Sequence, residues 1–272
     1  MEKEDIQNYS KSYDGQAYYS SYMYNEKSDF FTFEENYLKN LCENFKENDY
    51  SNYSVLDLQG GDGLWGLYLS KLLKAKKCVC VDYTQSMLDV GIKKYKEENM
   101  EFYNLSFEDS MSDQRVLKEK YCCVLIKGAI HYSKPIFASQ FLEFIKENCT
   151  DNSFIIISGF VNNNKFKDIV NVLPETFMNL MNNRSNRPDD FVDELARLDT
   201  DKELDIKKDY QKIEYTYPFD EFKAFLEKRS WSGLELCSED EISNAIEKQR
   251  NDTGFVKFSL WSCYILITKK KN

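Results

Sequence analysis

The stretch Val55-Leu56-Asp57-Leu58-Gln59-Gly60-Gly61-Asp62-Gly63 decides the fold of this chain, together with Asp82 after Cys78-Val79-Cys80-Val81. An apolar run, a glycine-rich turn, a helix and a second apolar run are typical of an α/β protein. Glycines let such a turn adopt positive φ and expose its backbone amides to a ligand. An acid at the tip of the second strand can bind the hydroxyls of a ribose. The sequence therefore predicts a nucleoside-binding site at the ends of the first two strands.

Two cofactor classes use such a turn, and the acids within it distinguish them. Gly61-Asp62-Gly63-Leu64-Trp65-Gly66 satisfies the GxGxxG spacing of nicotinamide and flavin proteins. Asp57 and Asp62 would repel a pyrophosphate, since like charges about 4 Å apart repel by about 4 kcal/mol at an effective dielectric of about 20. S-adenosylmethionine carries a sulfonium and an α-ammonium, which acids at the strand ends stabilise. Asp57 and Asp82 therefore favour the sulfonium cofactor.

At these residues the chain resembles the class I S-adenosylmethionine-dependent methyltransferases. Their first motif typically reads hydrophobic-hydrophobic-Asp-hydrophobic-Gly-x-Gly-x-Gly, and the residues that match it in order are Val55, Leu56, Asp57, Leu58, Gly61 and Gly63. Gln59 stands where the first glycine is usual. We expect Gly60, beside it, to take over the unusual backbone torsion.

The resemblance continues as far as Phe160 and covers about residues 53–160. Val81 to Leu88 is similar to the second motif, in which the acid holds the ribose and the next residue flanks the adenine. Where the family often has an Asp after the third strand, this chain has Ser106. The resemblance implies that Ser106, Glu108 or a backbone carbonyl reads the adenine amino group. The implied cofactor-binding residues are Asp57, Gln59, Gly60, Gly61, Gly63, Asp82, Tyr83, Met87, Ser106, Phe107, Glu108 and Lys127, with Tyr18 from an N-terminal lid.

His131 is the only histidine of the chain, and the resemblance places it in the loop after the fourth strand, facing the reaction centre. An imidazole has a suitable pKa for a general base near neutrality. A lone histidine can equally line a pocket without moving a proton. Catalysis by His131 and simple pocket lining therefore both stay open.

The predicted fold is α/β, with a Rossmann-like, mostly parallel seven-stranded sheet, an antiparallel last strand and helices on both faces. One methyltransferase domain is expected over 1–272, made of an N-terminal lid (1–30), a cofactor-binding core (31–160), a helical cap insertion (161–208) and C-terminal elements that complete the sheet (209–272). Apolar periodicity predicts helices and strands beyond the motifs. The helices are 31–45, 64–73, 87–95, 137–145, 166–172, 191–198 and 219–227, and the late strands are 213–217 and 255–268.

For two segments of the chain, two different roles are possible. The cap insertion either covers the substrate pocket or is a surface insertion without a role in binding. The tyrosines of residues 1–30, among them Tyr13, Tyr18 and Tyr19, either fold over the cofactor or form a surface tail. The run Tyr217 to Ser232 loosely resembles a pocket-lining segment of trans-aconitate-type methyltransferases, which act on small molecules.

The composition of the chain limits the kinds of ligand and partner that we expect it to bind. The net charge is −10, which disfavours attraction to nucleic acid or anionic lipid. The eight cysteines show no zinc spacing, so we expect no metal and a reducing, cytoplasmic location. No apolar run approaches the roughly 20 residues that span a bilayer. A soluble monomer or weak homodimer acting on a small molecule is expected.

These observations favour a methyltransferase that passes the methyl group of S-adenosylmethionine to an O or N atom of a small molecule by in-line displacement. The first alternative is a protein of the same fold that binds the cofactor without methyl transfer, as a sensor, a partner subunit or a catalyst of other chemistry. The second is an NAD-dependent oxidoreductase, which Asp57 disfavours.

Overall fold

The computed structural model describes residues 29–134, 136–161, 172–183, 187–229, 234–250 and 253–270. Seven strands lie in these ranges. They are β1 (Ser54–Leu58), β2 (Lys77–Asp82), β3 (Met100–Asn104), β4 (Tyr121–Lys127), β5 (Cys149–Phe160), β6 (Leu204–Pro218) and β7 (Phe255–Lys269). The described helices are α1 (Asp29–Cys42), α2 (Leu64–Leu72), α3 (Gln85–Lys94), α4 (Phe107–Ser110), α5 (Gln114–Leu117), α6 (Phe137–Asn148), α7 (Glu175–Asn183), α8 (Pro188–Leu198), α9 (Phe219–Glu227) and α10 (Glu239–Lys248). Two short 3-10 turns cover Ile130–Tyr132 and Leu234–Leu236.

The strands form one sheet in the order β3-β2-β1-β4-β5-β7-β6, with six parallel strands and an antiparallel last strand. In the register, Asp57 of β1 lies beside Cys80 of β2 and Leu125 of β4. The predicted Rossmann-like sheet is confirmed. Because parallel strands end at the same edge, the turns after β1, β2, β3 and β4 meet there.

Burial explains why β1, β2 and β4 read as nearly continuous apolar runs. Every residue of β1 and β2 is buried, as is every residue of β4 before Lys127. Helices cover both faces of a parallel sheet, so the side chains on both sides of each strand are shielded from solvent and are mostly apolar. Asp57 and Asp82, each 8% exposed or less, are the exceptions at the carboxyl edge. Carboxyl groups in so apolar a setting mark a site.

The chain divides into two compact units. The first, called here the core unit, is drawn from Asn36–Gly159, Asn186–Asp209 and Cys263–Asn272, and the second from Met1–Glu35, Phe160–Ser185 and Tyr210–Ser262. β1 to β4 and α2 to α6 belong to the core unit. In the second unit Tyr215, Tyr217 and Phe258 form a stack whose neighbouring ring centroids lie 4.7 to 6.3 Å apart. A single methyltransferase domain over 1–272 stays a prediction.

The C-terminal half differs from the predicted elements at several points. β6 begins at Leu204, so the last residues assigned to the cap insertion belong to a strand. α7 and α10 were missed, although Ser238 and Glu241 form a capping box at the start of α10. The helix predicted over 166–172 lies almost wholly outside the described residues, as do Tyr18 and most of the N-terminal lid.

No helix in the described ranges has the length and apolar character to cross a membrane.

Candidate functional site

The turn between β1 and α2 is built around the carboxyl group of Asp57. A Cβ atom at Gly60 would lie 2.3 Å from Asp57 Cγ, and one at Gly66 would lie 2.6 Å from Asp57 Cβ. Both positions therefore require glycine for space alone. The backbone wraps so closely that the Gly66 N–H donates to Asp57 Oδ2 at 2.9 Å.

Asp57 is almost fully buried, with 1% of its surface exposed. Its Oδ1 atom is buried and accepts no hydrogen bond. Burial raises the pKa of this carboxyl, and the charges of Asp62 and Asp82 add to that shift. The Gly66 N–H and Lys127 oppose it, and the net pKa is about 7. A buried carboxylate oxygen without a partner is costly. The site is therefore suited to a group that brings positive charge to Asp57.

Asp82, at the tip of β2, holds the turn from the other side. Its Oδ2 accepts from the Gly61 N–H at 2.8 Å and its Oδ1 from the Thr84 N–H at 2.7 Å. Burial raises the pKa of this carboxyl, while those two hydrogen bonds lower it. Each oxygen keeps a second lone pair, so Asp82 can still accept from ligand hydroxyl groups.

Asp62 is the third acid of the turn. Its Oδ1 accepts from the Leu64 N–H at 3.3 Å, and Lys94 Nζ lies 3.4 Å from Oδ2. Burial raises its pKa, and Lys94 opposes that shift. The Lys94 ion pair and the contact with α2 give Asp62 a role within the protein, which sets it apart from Asp57.

Gln59 does not behave as expected. Gln59 itself has φ 56°, and Gly60 is not in the left-handed region, so the prediction that Gly60 takes over the torsion is wrong. Gly61 and Gly63 also have positive φ. The Gln59 carboxamide reaches across the sheet edge: Oε1 accepts from the Tyr83 N–H at 3.1 Å, and Nε2 donates to Leu105 O at 3.0 Å. No sequence signal indicated this bridge, because its partners are 24 and 46 residues away.

The residues proposed to contact adenine have varied surroundings. Ser106 caps α4, where its Oγ accepts from the Asp109 N–H at 3.1 Å. Glu108 Oε1 accepts from the Lys134 N–H at 2.8 Å. Phe107 is 2% exposed and packs on Phe137 with ring centroids 4.8 Å apart. These contacts give Ser106, Phe107 and Glu108 structural roles, and their contact with a cofactor stays a prediction.

Met87 and Tyr83 lie closer to the turn. A Cβ at Gly61 would be 2.9 Å from Met87 Cε, so the methionine packs directly against the turn's backbone. Tyr83 is partly exposed at the end of β2. The structure therefore brings together the predicted set Asp57, Gln59, Gly60, Gly61, Gly63, Asp82, Tyr83 and Met87.

His131 and Lys127 lie at the carboxyl end of β4. Lys127 closes the strand, and its Nζ is 5.4 Å from the centre of the Trp65 ring, which α2 supplies. His131 lies on the 3-10 turn Ile130–Tyr132 with its ring 3.9 Å from that of Tyr132. Trp65 was not among the predicted site residues.

Helix α8 from the predicted cap insertion packs beside this region of the core unit. Pro188 lies over Gly159, where an added Cβ would be 3.1 Å from Pro188 Cγ, and Phe191 packs on Phe137 at 5.6 Å. α8 also contacts the 3-10 turn that carries His131. Part of the insertion thus adjoins the turn expected to face a substrate.

The donor set of the site is made of carboxylates and backbone groups. Within the ranges that the structure describes, no three His, Cys, Asp or Glu residues cluster as a metal site would require. The unpartnered Asp57 Oδ1, the glycine turn and the partly available Asp82 fit a cationic nucleoside better than a pyrophosphate.

A scan against protein-family models and a search of curated proteins found no match. Solved structures do match. The YcgJ protein from Bacillus subtilis has a TM-score of 0.56 at 14% identity, over 89% of this chain and 100% of that chain. The plantazolicin methyltransferase BpumL in complex with SAH has a TM-score of 0.53 at 14% identity, over 98% and 99%. This chain has the class I methyltransferase fold.

Another similar structure shows how widely the methyltransferase fold is used. The [4+2]-cyclase SpnF has a TM-score of 0.53 at 10% identity, over 91% of this chain and 86% of that chain. At such identities the likeness establishes the methyltransferase fold, and the chemistry has to be argued from the site residues.

Proposed function

We propose that the protein binds S-adenosylmethionine and transfers its methyl group to an O or N atom of a small molecule. The observation that carries this proposal is the buried Asp57 Oδ1 without a partner, beside a glycine turn and Asp82. The relative BpumL, whose fold this chain shares, was crystallised with SAH, the product of S-adenosylmethionine after methyl transfer.

The residues divide the work of binding. Asp57 would hold a positively charged group of the cofactor, and the remaining lone pairs of Asp82 would accept from ribose hydroxyls. The turn from Gln59 to Gly63 lets the ligand lie against the backbone. When bound, the cofactor supplies an electrophilic methyl group on a sulfonium.

Methyl transfer depends mainly on the alignment of the acceptor with the methyl group and on the exclusion of water from the site. A general base is needed only when the acceptor is still protonated near neutral pH, as a phenol or an alcohol is. His131, on the 3-10 turn that follows β4, is the residue proposed to accept that proton. Lys127, whose ammonium faces the Trp65 ring, is proposed to contact the cofactor from the same strand end.

Calorimetric titration tests the cofactor. We expect S-adenosylhomocysteine to bind and NADH not to bind. The variant Asp57→Asn/Asp82→Asn should lose affinity for S-adenosylhomocysteine, with Asp89→Asn, an exposed acid on α3, as the matched control. Unchanged affinity in the double variant would sink the proposal.

A second candidate is a protein that uses this fold for other chemistry. Two observations favour it: Gln59 replaces the usual glycine, and the cyclase SpnF shares the fold. A methyl-transfer screen over carboxylates, phenols and amines separates the two candidates. Cofactor binding with no methylated product from any class would support the second.

A further inference from the structure

Gln59 adopts a backbone conformation that a residue with a side chain disfavours. Its φ of 56° lies in the left-handed region, at a place where the first-motif pattern has glycine. Such strain persists where the surroundings hold it, and it concentrates at functional sites. Here two hydrogen bonds hold it, both made by the carboxamide.

The two partners of that carboxamide come from neighbouring strand ends. Tyr83 directly follows β2 and Asp82, and Leu105 directly follows β3. Tyr83 contributes a backbone donor and Leu105 a backbone acceptor, and the Gln59 side chain is only partly buried between them. Ligands of open α/β sheets bind in this crevice, outside the carboxyl ends of the strands.

A carboxamide and an adenine edge present the same pair of groups. Each offers an N–H donor beside an acceptor, the amide through its NH₂ and oxygen, and adenine through its 6-amino group and a ring nitrogen. Either can therefore satisfy one backbone N–H and one backbone carbonyl side by side. The two side chains otherwise placed to read adenine, Ser106 and Glu108, bond to Asp109 and Lys134.

We propose that the Gln59 carboxamide takes the place of the nucleobase in the free protein. It hydrogen-bonds to the Tyr83 N–H and the Leu105 carbonyl until adenine binds there and displaces it. This inference rests on the proposed cofactor. It makes Gln59 a residue that sets base specificity, because a displacing base must offer one donor and one acceptor. Purine riboside lacks the 6-amino group, so its base has no donor to offer the Leu105 carbonyl.

Binding by Gln59→Gly tests the displacement. Without a side chain to displace, this variant should bind S-adenosylhomocysteine and adenosine about five- to a hundredfold more tightly than the unmodified protein, as expected for two net hydrogen bonds. Purine riboside, which lacks the amino donor, should bind more weakly than adenosine to both proteins. The control is Lys74→Gly, since Lys74 also has positive φ, at 52°, but lies in the loop between α2 and β2. Equal or weaker binding of adenosine by Gln59→Gly would overturn the proposed displacement.

Amide hydrogen exchange at Tyr83 gives a second readout that does not depend on affinity. In the free unmodified protein the Tyr83 N–H should be protected, and Gln59→Gly should expose it to exchange. S-adenosylhomocysteine should restore protection in the variant. Exchange at Tyr83 that is the same in both free proteins would contradict the proposal.

The outcomes separate this inference from the proposed function. If the unmodified protein binds S-adenosylhomocysteine and Gln59→Gly changes neither affinity nor exchange, the proposed displacement fails and the cofactor proposal survives. If neither protein binds S-adenosylhomocysteine or adenosine, both fail.

Discussion

The Asp57 carboxyl shows how a single residue can be tuned by the groups packed around it. Glycines at 60 and 66 leave space only for the carboxyl, and the surrounding apolar strands keep water away. Burial is the largest cause of its raised pKa, and neighbouring acids add to it. With a pKa of about 7, Asp57 is about half protonated at pH 7, where an exposed aspartate would be ionised.

Stability should fall as the pH rises towards the pKa of Asp57. The folded-state pKa is about 7, above the unfolded value, so between about 4 and 7 the folded state binds a proton that the unfolded state lacks. The free energy of unfolding therefore decreases with rising pH through that window. The pKa values of Asp62 and Asp82 are raised too and act with the same sign.

Asp57→Asn should flatten this decline, because the variant cannot ionise while its amide oxygen can still accept from the Gly66 N–H. Urea denaturation between pH 5 and 8 measures the free energy of unfolding of both proteins. A decline in the variant as steep as that in the unmodified protein would contradict its assignment to Asp57. Calorimetry with S-adenosylhomocysteine adds a second check. Affinity of the unmodified protein should rise with pH as Asp57 ionises, and that of the variant should be low and flat.

His131 is tested by separating binding from turnover. If it removes a proton from the acceptor, His131→Asn should lower the rate of methyl transfer by about 10² or more while leaving cofactor affinity unchanged. The loss should be large for phenols and small for carboxylates, which are already deprotonated. Tyr132→Phe is a neighbouring control on the same 3-10 turn. Turnover that does not change for phenols would leave His131 as a pocket-lining residue.

At the level of elements, the two edges of the parallel strands have different charge arrangements. The carboxyl edge holds acids that crowd one another. At the amino edge Lys77 Nζ lies 2.6 Å from Glu101 and 2.9 Å from Glu119, and Ser54 donates to Glu119 at 3.1 Å. These pairs tie the start of β2 to β3 and to the segment before β4. The paired charges of the amino edge therefore stabilise the strands, whereas the carboxyl edge holds the acids that are proposed to bind the cofactor.

Lys77→Met should destabilise the fold, because it leaves the largely buried Glu119 carboxylate without its main partner. Breaking a buried pair from one side costs about 3 to 5 kcal/mol, and we expect about 2 kcal/mol because Glu101 is partly exposed. Lys71→Met breaks the exposed Lys71–Glu98 pair and should cost less than about 1 kcal/mol. Urea denaturation compares the two, and equal effects would contradict a structural role for the network.

Viewed as a whole molecule, the chain combines a widely shared sheet with an unusual turn. Similarity to solved structures at 10 to 14% identity extends over most of its length. The net charge of −10 does not prevent a cationic ligand from binding. A segment rich in tyrosine precedes α1 in the sequence. Its proposed role is to fold over the cofactor as a lid.

Deleting residues 1–24 tests the lid. If tyrosine rings face the sulfonium, cation–π attraction of about 0.5 to 2 kcal/mol should be lost with them. Affinity for S-adenosylmethionine should then fall several-fold more than affinity for S-adenosylhomocysteine, whose sulfur is uncharged. Calorimetry with both ligands measures this, and thermal unfolding of the free protein serves as the control. Equal affinities before and after deletion would identify the segment as a surface tail.

Much of the fold was predictable because its signals are local. Apolar runs marked β1, β2 and β4, with glycines after β1 and β4 and Asp82 at the end of β2, and helical spacing placed α9 at its observed bounds. The second half was harder. The polar, alternating start of β6 looks like a loop until its neighbour in the sheet is present. Helix α7 directly follows Pro174, and it was missed within an insertion that was predicted to be helical at other positions.

The sequence by itself determined the succession of strands, the glycine turn and the acids at the strand ends, because torsional preference and apolar periodicity act over a few residues. Only the tertiary structure decided what those groups do. The pKa of Asp57 is raised because the folded chain buries its carboxyl group. The hydrogen bonds of Gln59 join turns that are distant in sequence. Desolvation and hydrogen-bond partnership depend on neighbours in space, which a linear pattern does not specify.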